Sequence, residues 1–388
     1  MALLKKYFII NGQIALSGGK AIYKNILNIK TNANQNHSMS LGIDGKVWGW
    51  GYNSLGFLGN NSTISKLTPV SIHGVNKTFC SIGSGEYHSF ALDKNGRVWC
   101  WGYNNAGQLG DNSITQRNTP VSIHGANKTF CSIATNGGTH SISIDKNGKI
   151  WSWGLNTYGQ LGNNSTVSNR TPVSIHGANK TFCSIDGNVQ FSVSIDKNGR
   201  IWCWGYNSNG QLGDNTVISK NTPVSILGTN KTFCSISVGN HYASTGNHVI
   251  AIDKNGRIWS WGQSAFGSLG DNSNIDKCTP VSIHGVNKTF CSIASGNQHS
   301  MAIDKNGRIW CWGYNSNGQL GDNSITTKRT PVSIHGVNKT FCQISAGYWH
   351  SIGIDKNGNI WSWGYNSNGQ LGVNSVLSNR TPVMITTI

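Results

Sequence analysis

Glutamate is all but missing from this chain. Of 388 residues only Glu86 is one, and 14 acidic groups in total face 31 lysines and arginines, a formal net charge of +17. EF-hand-like calcium loops need a distal bidentate glutamate, so the recurring Asp-Lys-Asn-Gly and Gly-Asp-Asn-Ser fragments are not such loops. Zinc spacings of the CxxC or HExxH kind do not occur. Proline is scarce as well: all seven sit in Thr-Pro-Val triplets, from Pro69 to Pro382, and none builds a linker. No apolar run approaches the roughly 20 residues needed to cross a bilayer, so no membrane span is expected. Lys5 and Lys6 precede only the short stretch Tyr7 to Ile10, too brief for a secretory leader. A sustained 3.6-residue apolar period is absent too, and helices should be few.

What is abundant is glycine and tryptophan, 49 and 15 residues, in a chain only 12% charged. That composition excludes a disordered chain and points to a turn-rich β protein. Self-similarity decides the organisation. Trp-x-Trp-Gly occurs seven times, at Trp48/Trp50, Trp99/Trp101, Trp151/Trp153, Trp202/Trp204, Trp259/Trp261, Trp310/Trp312 and Trp361/Trp363. The spacing is 51 or 52 residues except for one interval of 57, which carries an insertion around Tyr242 to Asn247. Within a period, Thr-Pro-Val-Ser-Ile, Thr-Phe-Cys-Ser-Ile, His-Ser-Met-Ala-Ile and Arg-Ile-Trp-Cys-Trp-Gly read as four short strands (279–313). The Asn-Gly of the Asp-Lys-Asn-Gly link suits the positive φ angles of a tight hairpin.

Four short antiparallel strands cannot cover both their faces. Stacked radially, each sheet covers the next, and a propeller results. The tryptophans, two residues apart on one side of their strand, are read as core. The predicted fold is all-β, a seven-bladed β-propeller with four-stranded antiparallel blades over residues 23–388, and residues 1–22 form a tail or docking arm. Because the last Thr-Pro-Val follows the last Trp motif and none precedes the first, the C-terminal strand (381–388) is expected to pair with the N-terminal repeat and seal the ring.

Six of ten cysteines follow the Phe of Thr-Phe-Cys, and Cys100, Cys203 and Cys311 lie inside Trp-Cys-Trp. Three of the six have no repeat-equivalent mate, so the set reads as small buried thiols rather than a disulfide framework. With the missing leader this favours a cytoplasmic setting, a virion-associated one being the alternative. The recurring histidines His37, His88, His140, His299 and His350 occur once per repeat, with Phe191 in the fourth place. Such regularity is architectural, and the imidazoles are expected to bond backbone between blades.

Gly-Gln-Leu-Gly-Asp-Asn-Ser at 107–113, Gly-x-x-His-Ser at 85–89 and the period near 51 resemble the regulator-of-chromosome-condensation repeat family over residues 24–388. The resemblance implies a seven-bladed propeller. Members include an exchange factor for a Ran-type GTPase beside many scaffolds, so it implies binding without naming the partner.

Charge is unevenly placed along the repeat. The His-Gly-x-Asn-Lys links carry Lys77, Lys128, Lys180, Lys231, Lys288 and Lys339. The Asp-Lys-Asn-Gly turns of repeats two to six each leave one net positive charge, with Arg97, Arg200, Arg257 and Arg308 at four of them. Alternating strand direction puts both connections on one face of the disc, which is expected to meet an anionic partner. Aromatics look buried, so any nucleic-acid contact would be weak and electrostatic. Three features break the repeat: the insertion, with Tyr242, Ser244 and Asn247; the stretch Asp186 to Phe191; and the tail.

No nucleophile, base and orienting acid come together in one place, so neither an enzyme nor a cofactor is expected. The leading reading is a non-catalytic scaffold or binding module with a protein partner. The alternatives are a guanine nucleotide exchange factor for a Ran-like small GTPase, and a virion or cell-surface component anchored in a larger assembly by its tail.

Overall fold

In the second repeat, strands Phe79–Ser84, His88–Asp93, Val98–Gly102 and Arg117–Ser122 pair antiparallel in that order. The same four-stranded sheet recurs seven times, giving blades at 26–71, 79–122, 130–174, 182–225, 233–282, 290–333 and 341–384. The computed structural model describes all residues except 1–12, 17–19, 25, 32–36, 43, 86, 126, 135–137, 178, 240–246 and 386–388, with side chains from His37 onward. Among the described residues there is no helix. Before the ring, Gln13–Leu16 and Lys20–Lys24 pair as an antiparallel hairpin. First strands from six blades line a cavity of about 340 Å3 and therefore surround the axis.

Two expectations about strand grouping need correction. The Thr-Pro-Val strand is the last strand of the preceding blade, not the first of its own: Cys100 pairs with Val121 and Trp99 with Ser122. The ring is accordingly not sealed by strand exchange. Asn379–Met384 pairs with Ile360–Gly364, its own neighbour in sequence, and all four strands of the first sheet come from 26–71. The reason lies in the loop after each Trp strand. Asn104 accepts from the Leu109 amide and donates to Asp111, Ser113 and the Thr115 carbonyl, which folds the long loop back onto the strand it left. The shorter His-Gly-x-Asn-Lys link is the one that crosses to the next blade.

The hairpin turn also differs in detail. Of Asn95 and Gly96 only the glycine takes positive φ, at 77°. The Gly96 amide donates to Asp93 O and the Asp93 amide to Arg97 O, a type I turn followed by a glycine bulge.

Closure comes from blade-on-blade packing. In each Trp pair the second ring is fully buried: Trp101, Trp153, Trp204, Trp261, Trp312 and Trp363 are at 0% exposure and Trp50 at 1%. The ring lies on the Gly-Gln-Leu-Gly loop of the preceding blade, and a Cβ at Gly110 would stand 2.7 Å from Trp153 Nε1, so this position tolerates only glycine. Two polar groups then meet at one loop carbonyl, and a third braces one of them. Trp153 Nε1 and Ser141 Oγ both donate to Gln108 O, at 3.0 and 2.7 Å, and His88 Nε2 lies 3.0 Å from the same serine oxygen. Because Ser141 spends its proton on the carbonyl, the imidazole is the donor in that contact. The link repeats as His37–Ser89, His140–Ser192, His248–Ser300 and His299–Ser351. The histidines thus bond a serine of the next blade, His88 and His140 also meet next-blade backbone at Gly138 and Val189, and His248 joins the set.

Where the fourth blade carries Phe191, the fifth carries Val249 in the serine position, and both lie in one buried apolar cluster. Polar lacing at that seam passes to the variant stretch: Asn188 Nδ2 donates to Asn247 Oδ1 and Gly239 O, and Asp186 accepts from the Val238 amide.

Candidate functional site: the lysine-bearing face

The hairpin turns and the inter-blade links share a face, because their backbones bond each other. The Lys94 amide donates to Thr78 O, and the Phe79 amide to Gly45 O of the preceding turn. Each turn places an aspartate at the end of the second strand. Asp93 accepts from the Asn95 and Arg97 amides at 2.9 Å and, through its other oxygen, from Trp99 Nε1 at 3.0 Å. Asp145, Asp196, Asp253, Asp304 and Asp355 hold Trp151, Trp202, Trp259, Trp310 and Trp361 in the same way. The first tryptophan of every pair is half-buried, and in six blades it is oriented by a carboxylate, so reading both rings as core holds only for the second. In the first blade Gly42 takes the aspartate's place, and Asp44 pairs with Lys46 at 3.7 Å.

Burial of these aspartates changes the electrostatics of the face. All six are buried, while the cations beside them project into solvent. Lys77, Lys128, Lys180, Lys231, Lys288 and Lys339 are exposed, and so are Arg97, Arg200, Arg257 and Arg308. Four of the lysines lie over tryptophan rings: Lys77 on Trp99, Lys128 on Trp151, Lys180 on Trp202 and Lys231 on Trp259, at 5.3 to 6.0 Å from the ring centre. A cation–π contact of this exposed kind contributes about 0.5–1 kcal/mol and limits where the ammonium can go. The cations also gather in pairs. Arg97 and Lys128 line a recess of about 340 Å3, and Lys149 and Lys180 another of about 300 Å3. Of the remaining site candidates, Asn247 is buried in the seam between blades four and five, and Tyr242 and Ser244 lie outside the described residues.

On the opposite face four acids are neutralised locally, while Asp276 accepts hydrogen bonds from Asn209 and the Ser264 amide. Asp111 pairs with Arg117 at 2.9 Å, and Asp214, Asp271 and Asp322 with Lys220, Lys277 and Lys328. That face also carries aromatic residues that sequence reading assigned to the interior. Tyr158 packs against Tyr206 and Phe266 against Tyr314, each pair at 4.8 Å with the rings tilted, and Trp349 meets Tyr365 edge-on at 5.3 Å. The legible signal was the residue after Trp-x-Trp-Gly, a tyrosine at 52, 103, 206, 314 and 365.

Neither the histidines nor the cysteines present reactive groups. Burial pushes His37, His88 and His299 down to about 3 and His140 and His350 to about 4, so the imidazoles are neutral at ordinary pH. All ten thiols are free. Cys80, Cys131, Cys183, Cys234 and Cys291 are exposed rather than buried, because a bulge between the Phe and the Ser of the first strand turns them outward. Partial burial and the adjacent aspartate nevertheless raise the Cys80 thiol, and the others likewise. Among the described residues no three metal-ligating side chains converge, and no helix is long and apolar enough to cross a membrane.

Residues 20–245 match the RCC1-like domain family, and 255–303, 306–354 and 357–388 match the regulator of chromosome condensation (RCC1) repeat. The ultraviolet-B receptor UVR8 of Arabidopsis thaliana is 25% identical over 359 residues, which cover 91% of this chain and 80% of UVR8. The E3 ubiquitin-protein ligase HERC2 of Mus musculus is 27% identical over 363 residues, 90% of this chain but 7% of that protein. Among solved structures, Prp20p of Saccharomyces cerevisiae superposes with a TM-score of 0.77 at 22% identity, covering 90% of this chain and 87% of Prp20p.

Proposed function

We propose that this chain, which belongs to the regulator of chromosome condensation (RCC1) repeat family, is a non-catalytic binding platform whose lysine-bearing face docks an acidic protein surface. The observation that carries the reading is the pairing of cations from turn and link around open recesses, Arg97 with Lys128 and Lys149 with Lys180, above aspartates that are buried. Such an array sums its field over the face instead of cancelling it, which raises association rates and makes binding sensitive to salt. Base reading is disfavoured on that face, because its tryptophans are half-buried beneath lysines and are not free to stack on bases.

The test is charge reversal of Lys128, Lys180, Lys231 and Lys288 to Glu, read as retention of poly-glutamate and of duplex DNA at increasing salt. The expected result is at least a tenfold loss of poly-glutamate binding and a flattened salt slope. Unchanged binding, or a preference for DNA over the polypeptide, overturns the acidic-protein reading. Prp20p was described together with its binding to Gsp1p and histones. Nucleotide exchange on a Ran-like GTPase is the narrower alternative for this chain. Accelerated nucleotide release from such a GTPase would establish it, and a flat response would remove it.

A further inference from the structure

We propose that the cleft between the second and third blades, on the face opposite the lysines, is a docking site for a peptide segment that carries an aromatic side chain beside an acidic residue. The argument begins with the residues that fill the equivalent seams. Two positions face each other there: the residue before the first glycine of the Gly-Gln-Leu-Gly loop, and the residue after Trp-x-Trp-Gly in the next blade. Between blades three and four these are Tyr158 and Tyr206, and between blades five and six Phe266 and Tyr314, each pair 4.8 Å apart with the rings inclined at 57°. Between blades two and three they are Ala106 and Leu155, and of the seven seams this is the one where both are aliphatic. The volume that two rings occupy elsewhere is here part of a cleft of about 790 Å3.

Its walls are suited to an aromatic guest. Tyr87 and Tyr103 meet edge-to-face at 5.8 Å, and the Tyr103 amide donates to Tyr87 O at 2.7 Å, which fixes one wall. Leu55, Leu155 and Ile114 supply apolar surface, and Ile114 is 52% exposed. Thr139 is already engaged, its hydroxyl donating to Val189 O at 2.9 Å, so that side of the cleft is set by the third and fourth blades together.

Charge selects what accompanies the ring. Among the described residues Arg170 is the one charged residue of the lining, it is exposed, and its stem lies along Gly107 at the cleft's edge. Unlike Arg117 nearby, which Asp111 neutralises, Arg170 takes part in none of the ion pairs among the described residues. A planar guanidinium at the mouth of an apolar slot favours a carboxylate adjacent to the inserted side chain. This chain's own basic N-terminal stretch, with Lys5 and Lys6 beside Tyr7 and Phe8, has the wrong charge for that role.

The experiment uses the full chain and three fluorescent peptides in a Gly-Ser frame, bearing Asp-Trp-Asp, Lys-Trp-Lys or Asp-Ala-Asp. Anisotropy is expected to rank Asp-Trp-Asp at least tenfold tighter than either control. The double substitution Ala106→Tyr with Leu155→Tyr rebuilds the pair that the neighbouring seams already accommodate, and is expected to abolish that binding. Arg170→Glu, a surface change, is expected to reverse the preference toward Lys-Trp-Lys. Equal binding of all three peptides overturns the proposal, as does undiminished Asp-Trp-Asp binding by the filled cleft. Because the cleft and the lysine ring lie on opposite faces, charge reversal at Lys128, Lys180, Lys231 and Lys288 should leave the peptide ranking intact. Failure of one proposal is therefore distinguishable from failure of the other.

Discussion

Two kinds of seam hold this ring together, and their difference shows what repetition can and cannot supply. At every internal seam but the one between blades four and five, one loop carbonyl collects an indole and a hydroxyl from the next blade, and an imidazole braces the hydroxyl. At the closing seam, between the seventh and first blades, the same residue types are present but the bonds are not. Among the described residues His350 Nε2, Ser38 Oγ and Trp50 Nε1 have no hydrogen-bond partner. What remains there is apolar: Trp50 packs against Ile352, Ile354, Ile360 and Ile385. A seam joined through the chain carries this polar set together with apolar burial, whereas among the described residues the seam that joins its ends lacks those three bonds and keeps the buried tryptophan.

The largest effect that follows is on acid stability. Burial holds the folded-state histidine pKa values at about 3 to 4, below the unfolded value of 6.5. The unfolded chain then binds more protons below pH 6.5, so the stabilisation is complete above that pH and is lost as pH falls toward 4. Each of the five histidines loses roughly 1 kcal/mol per pH unit, and together they exhaust a typical domain stability of about 5–15 kcal/mol within two to three units. Cooperative unfolding by circular dichroism is expected between about pH 5 and 4. A fold unchanged at pH 4 would mean that these histidines titrate without resistance.

A smaller effect should come from the seam that carries Phe191 and Val249 instead of histidine and serine. Phe191→His or Val249→Ser alone buries a polar group without its mate, at a cost of about 1–3 kcal/mol each. The double substitution should recover part of that cost, because it rebuilds the pair found at His140 and Ser192. A double-mutant cycle by urea denaturation measures the coupling, and strict additivity would argue that the His–Ser contact contributes nothing.

The smallest effect bears on the closing seam itself. Trp153→Phe deletes ring volume and an indole donor, and Trp50→Phe deletes volume alone. The first should cost about 1 kcal/mol more than the second. Equal losses would show that the indole hydrogen bonds of the internal seams add nothing to packing.

Much of this was legible from spacing. Seven Trp-x-Trp-Gly copies fixed the blade number, and alternating strand direction put the lysines of the links and the arginines of the turns on one face. The blade frame was not legible, because Thr-Pro-Val strands read equally well as first or last in a period. The choice depends on Asn104 and its equivalents gathering the loop after the Trp strand, a contact between residues that no local pattern links. The division between the two tryptophans was hidden for a similar reason. Trp99 and Trp101 are identical in sequence terms, yet one bonds Asp93 near solvent and the other enters the neighbouring blade.

By itself the sequence determined the strand period, the number of blades and the side on which positive charge accumulates, all of which follow from short-range alternation and turn chemistry repeated along the chain. Tertiary structure alone decided which groups face one another across a seam. That choice made Ala106 and Leu155 the edges of a cleft, turned a regular histidine into a neutral brace, and left Trp50 at the closing seam packed without the indole bond its counterparts make. Contacts between residues 30 to 50 positions apart depend on how sheets stack, and stacking is set by the whole ring at once rather than by any one repeat.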